Sequence, residues 1–473
     1  MNLKKLVAWL VCVFLLLSLV ACAGEKQQDT TSDNVASTNE QETQDNDSAG
    51  EDESANEETG ENEGAAQEES KATPEMDFDL GGRTIKVVAW WDMSITGEDP
   101  ASVAKRENLE YLMEKHNFNI EYEAIDYGEY HDRLISSLMA DQPLGDIVRI
   151  GKSFMIPSLT KQDLFWPIEE EWIMNDRVFN QKYTKEFFQF KGKGYAFSDA
   201  VDMATGFFYN KTLMQRLGIK PLQSYVDENN WNWDTFIEVA KSANQDTNGD
   251  GKIDTWGLAT GNFVEQALAA NETDLVDEDK QNLDDPRVIE TLEFISKLYK
   301  ENLPRPTEGG DWTEPRSFFV EGNVLMYAGC DYETSGLKED MPDYEIGFVP
   351  FPKGPSASDY HACEPLVQAI AIPKSVDVPR ELVYIWEKIN DIPDDLRDEY
   401  PNQSWYESLF EDEGDINNLR MASAGMRITD KASYPSLPYY DFVAELIDGE
   451  SVSTLIEKYK ASFQAAIDEV WNE

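Results

Sequence analysis

Apolar and polar positions along the chain fall into readable periods from residue 84 onward. Residues 84–91 form an apolar, β-branched run that predicts a strand. Leu109, Leu112, Met113 and His116 follow at helical spacing, and Ile120, Tyr122 and Ala124 then alternate as a second strand. Tyr130, Leu134, Ile135 and Leu138 return to the helical period, and Ile147, Val148 and Ile150 make a third short strand. Strands alternating with helices over short links predict a doubly wound α/β sheet with right-handed crossovers. Further along, an aromatic strand, Phe207-Phe208-Tyr209-Asn210, turns into a short helix stopped by Gly218. Helices are predicted over 231–244 and 288–300, strands over 324–327 and 344–350. The chain closes on an amphipathic helix carrying Val452, Leu455, Ile456, Tyr459, Phe463 and Val470.

The topology says where a ligand belongs. In open α/β sheets the binding crevice lies outside the carboxyl ends of the strands. Those ends are Trp90-Trp91-Asp92, Asp126-Tyr127 and Gly151-Lys152-Ser153. An indole face suits the C–H face of a sugar, and a carboxylate suits its hydroxyls. Side chains alternate along a strand, so Trp90 and Trp91 point opposite ways and at most one faces the crevice. The alternative is that both pack beneath helices.

The first 80 residues have a different texture. Lys4 and Lys5 precede an unbroken apolar run from Leu6 to Val20. As a helix this run spans roughly 22 Å, short of the ~30 Å hydrocarbon core, so it reads as an export signal (1–21). Leu19-Val20-Ala21-Cys22 resembles a bacterial lipobox, which implies cleavage before Cys22 and acylation of its thiol. Residues 22–80 follow as an acidic, disordered tether, since so few large apolar residues cannot offset the entropy of ordering.

Charge narrows the partners. The 473 residues carry a formal −52, of which residues 23–80 supply −17 from 19 acids and two lysines. The remaining −37 lies beyond residue 80 and opposes phosphate backbones, so nucleic acid is excluded as a partner. The same charge favours neutral or cationic solutes.

One local motif is sharper. Asp246-Thr-Asn248-Gly-Asp250-Gly251-Lys252-Ile-Asp254 matches the first nine positions of an EF-hand-type calcium loop. Asp246, Asn248, Asp250 and Asp254 would offer side-chain oxygens and Lys252 its carbonyl, for a structural Ca²⁺ that also places Trp256 near the crevice. Position twelve is Gly257 instead of the usual Glu, so the shell needs another ligand or water. The other reading is a surface turn with no ion.

Several ordered blocks resemble the family 1 extracellular solute-binding proteins that deliver oligosaccharides to ABC importers, the group related to maltose-binding protein. They are Gly145-Asp146-Ile147-Val148-Arg149, the block from Tyr195 to Lys211 with Leu217-Gly218-Ile219, and Trp233-Asp234-Thr235-Phe236. Phe319 through Gly329 and Phe348-Val349-Pro350-Phe351-Pro352-Lys353-Gly354 complete the set. The resemblance implies a two-lobed, periplasmic-binding-protein-like (type II) α/β fold closing on its ligand. Lobe one would be 81–200 with 348–400, and lobe two 201–347 with 401–473. Crossings would fall near Ser198–Asp202, near Glu345–Val349, and within 395–430. Where the family commonly places a stacking Trp after the strand ending at Gly329, this chain has Cys330-Asp331-Tyr332. Asp202, Tyr209, Asp331, Tyr332, Tyr434 and Tyr439 (with Tyr440) join Trp90, Trp91, Asp92, Lys152, Ser153 and Trp256 as candidate ligand residues. The resemblance further implies a monomeric, non-enzymatic receptor outside the cytoplasm, held to the outer face of the cell membrane by Cys22 and docking on ABC permease subunits.

Enzyme readings are poorer. Gly151-Lys152-Ser153 matches the end of a phosphate-binding loop, but Asp146 stands where the first glycine is required. His116, His131 and His361 form no H-E-x-x-H, and no G-x-S-x-G occurs. An exported glycan-cleaving enzyme and a sensor lipoprotein signalling to a membrane kinase remain as alternatives. Cys330 and Cys363 are either one disulfide or two buried thiols.

Overall fold

The computed structural model describes residues 74–198, 203–260, 263–310, 313–363, 367–398, 402–429 and 431–472. The expected signal, Cys22, most of the tether, and Asp202 lie outside the described residues. Among the described residues no helix is long and apolar enough to cross a membrane.

Eight strands and eight helices carry the architecture. The strands are β1 (Arg83–Ala89), β2 (Phe118–Ala124), β3 (Ile147–Gly151), β4 (Thr205–Asn210), β5 (Trp256–Ala259), β6 (Val324–Cys330), β7 (Ile346–Pro350) and β8 (Gln368–Ala371). The helices are α1 (Pro100–His116), α2 (Tyr127–Met139), α3 (Trp233–Ala243), α4 (Pro286–Lys300), α5 (Pro379–Asn390), α6 (Gln403–Leu409), α7 (Glu413–Ala424) and α8 (Val452–Asn472).

Lobe one is built on the sheet β8-β3-β1-β2. Strand β1 runs parallel to β2 and to β3, as the alternation of strand and helix demands, while the late strand β8 returns antiparallel to β3. Ile85 and Val87 face one layer, with Leu109 and Leu112 of α1 and Leu382 and Ile385 of α5. Val88 and Ile150 face the other, with Tyr130, Leu134 and Leu138 of α2. The helices start where the sequence supplies caps. Asp99 accepts the Ser102 N–H at 2.9 Å ahead of Pro100, and Asp126 accepts that of Gly128 at 2.9 Å.

Lobe two is the sheet β7-β4-β6-β5. Strand β4 lies antiparallel to both β6 and β7, and β5 is parallel to β6. Phe208 faces one apolar layer with Phe319, Phe348 and Tyr406, while Phe207 and Tyr209 face the other with Phe236, Leu292 and Phe463.

Two boundaries differ from the sequence reading. The tether does not run to residue 80: Met76, Phe78 and Leu80 pack on lobe one, and Phe78 stacks on His116 at 3.9 Å. The second crossing is not near Glu345–Val349, because β7 pairs with β4 throughout, Phe348 opposite Phe208. Phe351 and Ala362 still belong to the lobe-two core, and only Val367 and the strand after it pack on lobe one. The chain therefore changes lobes between residues 363 and 367.

Candidate functional site

The strand ends of lobe one are tied together by one buried side chain. Tyr130, fully buried on α2, directs its hydroxyl at the carbonyls of Val88 and Arg149, 3.0 and 2.6 Å away. Trp90 then turns inward, edge-on to Tyr130 at 5.3 Å and close to Tyr127 and His131. Trp91 leaves 38% of its surface exposed. The buried guanidinium of Arg149 sits 4.8 Å from the centre of its ring. Trp91 is thus the more exposed of the two indoles, but the rings do not point opposite ways as strand alternation predicts: the strand ends at Ala89, and they meet edge-on at 5.0 Å. Asp92 is exposed and accepts the Ser94 N–H at 2.9 Å, a bond that lowers its pKa. Lys152 is buried, and its backbone N–H bonds the Val367 carbonyl at 2.8 Å, where the chain re-enters lobe one.

In lobe two the matching end of β6 carries Asp331 and Tyr332. Asp331 is 3% exposed, its carboxylate accepts the Ala204 N–H at 3.2 Å, and the Trp405 indole lies close enough to favour its charged form. Burial pushes its pKa up to about 6 against the pull of these contacts. Tyr332 is 59% exposed and Trp405, on α6, 43%. Beyond the end of β6, where no Trp stands in sequence, Trp405 of a different element lies near the Asp331 carboxylate. Sequence reasoning missed Trp405; its only signal was a lone indole within Asn402-Gln403-Ser404.

Tyr434 is buried, its hydroxyl donating to the Glu278 carbonyl at 2.8 Å. It lines a 470 Å³ cavity walled by Lys152, Phe187 and Phe190 of lobe one and by Glu278 and Trp471 of lobe two. A neighbouring 670 Å³ cavity is lined by Ser153 and Phe154 on one side and by Pro435 and Val470 on the other, with Ser433 shared between the two cavities. Both volumes fall in the range of small-molecule sites. Lys161 spans the lobes to the Val470 carbonyl at 2.6 Å, and Lys182 to that of Met426. An 800 Å³ groove between α4 and the start of α8 belongs to lobe two alone and touches none of the strand ends.

Of the sequence candidates, Lys152, Ser153 and Tyr434 line the 470 and 670 Å³ cavities, whereas Trp90, Trp91, Asp92, Asp331 and Tyr332 line neither, and three more lie away from the strand ends altogether. Tyr209 is 2% exposed, packed in the lobe-two core, and paired with Met326, well short of the end of β6. Trp256 opens β5, and because β5 runs parallel to β6 it lies at the end of the sheet away from Asp331. Tyr439 is buried in the same core beneath the ammonium of Lys431, 3.7 Å from its ring centre, which in turn pairs with Glu265. Aromatic residues near a cleft are mostly core, and periodicity does not separate the two. Cys330 and Cys363 are both buried thiols.

The loop 246–254 folds on itself. Asp246 accepts the N–H groups of Gly249 and Gly251 at 2.6 and 2.7 Å, Asn248 that of Asp250, and Asp250 that of Lys252. Asp254 accepts from Thr247 and Asn248. Gly251 takes the left-handed φ of +87° that the sixth position of such a loop requires. Gly257 is fixed by packing, since a Cβ there would overlap the Ala240 backbone of α3. Position twelve therefore has no room for a side-chain ligand. Among the described residues no group of three or more His, Cys, Asp or Glu side chains is arranged to hold a metal ion.

A family model for bacterial extracellular solute-binding proteins matches residues 97–379. No curated protein matches. Among solved structures, the galacto-N-biose/lacto-N-biose I-binding protein of the ABC transporter from Bifidobacterium longum, with lacto-N-biose bound, superposes with a TM-score of 0.61. It shares 14% identity over 83% of this chain and 99% of that one. UspC of M. tuberculosis gives 0.60 at 15% identity, over 81% and 100%. The ABC substrate-binding protein Lmo0181 of Listeria monocytogenes, in complex with cycloalternan, gives 0.57 at 12%, over 83% and 99%. These likenesses establish the two-lobed, type II periplasmic-binding-protein-like fold. With the family model running over more than half its length, the chain belongs to the bacterial extracellular solute-binding proteins.

Proposed function

We propose that this protein captures a neutral oligosaccharide, or a related polyhydroxylated solute, between its lobes and delivers it to an ABC importer. The observation that carries the reading is the 470 Å³ cavity whose aromatic and polar walls come from both lobes. A pyranose offers two apolar faces and a rim of hydroxyls, and such a cavity offers rings for the first and Lys152, Glu278 and Tyr434 for the second. At the strand ends Trp91 and Trp405 present partly exposed indoles, with Asp331 beside Trp405. Solute bridging both lobes stabilises the approached state over the separated one, and that difference is what a permease reads. The excess negative charge of the chain argues against an anionic ligand.

The protein binds and releases without chemical change, as a monomer on the outer face of the membrane, held by a lipid on Cys22. A structural calcium ion completes the proposal. It would be held by Asp246, Asn248, Asp250 and the Lys252 carbonyl, with Asp254 acting through water, and would stiffen the loop between α3 and β5. Titration of the purified protein with a panel of neutral oligosaccharides, followed by calorimetry, tests the reading: saturable heat with at least one glycan supports it. Tight binding of a non-sugar solute with no response to any glycan removes it.

A further inference from the structure

The last helix belongs to lobe two for most of its length. Val452, Leu455, Ile456, Tyr459, Phe463 and Ile467 lie in the lobe-two core. Its final turn does something else. Trp471 packs against the cores of both lobes, and its ring lies 5.5 Å from that of Phe190 in lobe one. Its indole N–H points at the Tyr434 hydroxyl, 3.0 Å away, and at the Glu278 carbonyl, 3.2 Å away. The preceding carbonyl, of Val470, takes the ammonium of Lys161 from lobe one. Trp471, Tyr434, Glu278 and Phe190 all line the 470 Å³ cavity.

We propose that Trp471 makes solute capture depend on the C-terminal turn: it walls the cavity, sets the Tyr434 hydroxyl, and holds the lobe edges together. This deepens the saccharide reading given above and rests on it for the nature of the ligand. A fused ring at this position does three things that no single aliphatic side chain can. It offers a flat face to a sugar ring or to Phe190, it excludes water from the cavity edge, and its one N–H orients a phenol. Tyr434 donates to the Glu278 carbonyl, so the indole N–H approaches the phenol from its acceptor side and leaves the donor direction fixed. The lobes therefore meet through a side chain whose geometry is set within lobe two.

The test uses the intact protein with Trp471→Ala, Trp471→Phe and Tyr434→Phe, with maltotriose and lacto-N-biose as probes. Trp471→Ala is expected to weaken binding about tenfold or more, and Trp471→Phe by less, because it keeps an aromatic face while losing the N–H and the second ring. Trp471→Phe and Tyr434→Phe cut the same bond, so their combined effect should fall short of the product of the two. Small-angle scattering of the ligand-free protein should show a larger radius of gyration for Trp471→Ala than for wild type or Trp471→Phe. Wild-type affinity in Trp471→Ala, or full multiplicativity of the two Phe variants, overturns the proposal. If wild type binds neither probe, the saccharide reading is in doubt by itself. Scattering then decides the lobe contact, expansion upholding it and an unchanged radius overturning it.

Discussion

The guanidinium of Arg149 lies 4.8 Å from the ring centre of Trp91, reaching across from β3 to the residue just beyond the end of β1. The pair puts a buried cation against an indole that is 38% exposed. A cation–π contact at a desolvated site contributes about 2 kcal/mol and fixes the ring plane. Arg149→Met keeps the aliphatic stem and removes the charge. It should weaken solute binding by about tenfold and shift the tryptophan emission, while Trp91→Ala should weaken it further. Unchanged affinity in both variants would show that this end of the sheet does not meet the solute.

Glu387 on α5 is 2% exposed, near Asp176 and 3.3 Å from the Lys388 ammonium. Burial, reinforced by the Asp176 charge, pushes its pKa up to about 7. Because its folded pKa is raised, the native state holds an extra proton between the ordinary carboxylate range and pH 7. Stability contributed at low pH is therefore lost as pH rises through that window, and the loss is complete above it. Glu387→Gln should be more stable than wild type by roughly 2–3 kcal/mol at pH 8 and indistinguishable from it near pH 4. Urea melts at both pH values check the sign, and a pH-independent difference would contradict it.

Gly257 on β5 faces the backbone of Ala240 with no space for a methyl group. Gly257→Ala should cost about 1–3 kcal/mol by pushing α3 off the sheet, measured as a fall in the urea midpoint without a change in slope. Gly249→Ala is expected to be costly for a different reason, its φ of +78°.

Calcium makes a separable prediction. Chelation with EDTA should lower the melting temperature, and added Ca²⁺ should restore it, because an ion bound only by the folded loop stabilises by mass action. Asp246→Ala, which also loses the N–H bonds from Gly249 and Gly251, should melt at or below the chelated temperature and not respond to the ion. Melting temperatures identical in EDTA and in millimolar Ca²⁺ would leave 246–254 as a turn closed by its own backbone bonds.

β1 and β3 are readable as short apolar runs because they are buried in the sheet, and β2 by its alternation, with Ile120 and Tyr122 packing on one layer. The ends of those strands followed from topology, which is why Trp91 and Lys152 could be named. What periodicity cannot supply is a partner. The run through Phe348 reads as a strand, but nothing in it says that it pairs with Phe208 in lobe two, and so the crossing was placed too early. Tyr209 and Tyr439 show the same limit for side chains, since a buried ring and a cleft ring look alike in sequence. Trp405 and Trp471 were passed over for the opposite reason. Each stands in a polar stretch at an element's edge, and its role depends on Asp331 or on Tyr434 and Phe190, which are distant along the chain.

The proposed ligand is a neutral glycan held between the two lobes. The most direct measurement is a calorimetric titration of the intact protein across neutral oligosaccharides, with amino acids, peptides and sugar acids as comparators. One-site saturable binding to at least one neutral oligosaccharide is expected, weakened about tenfold or more by Trp91→Ala. Saturable binding confined to a charged or non-sugar solute would contradict the proposal.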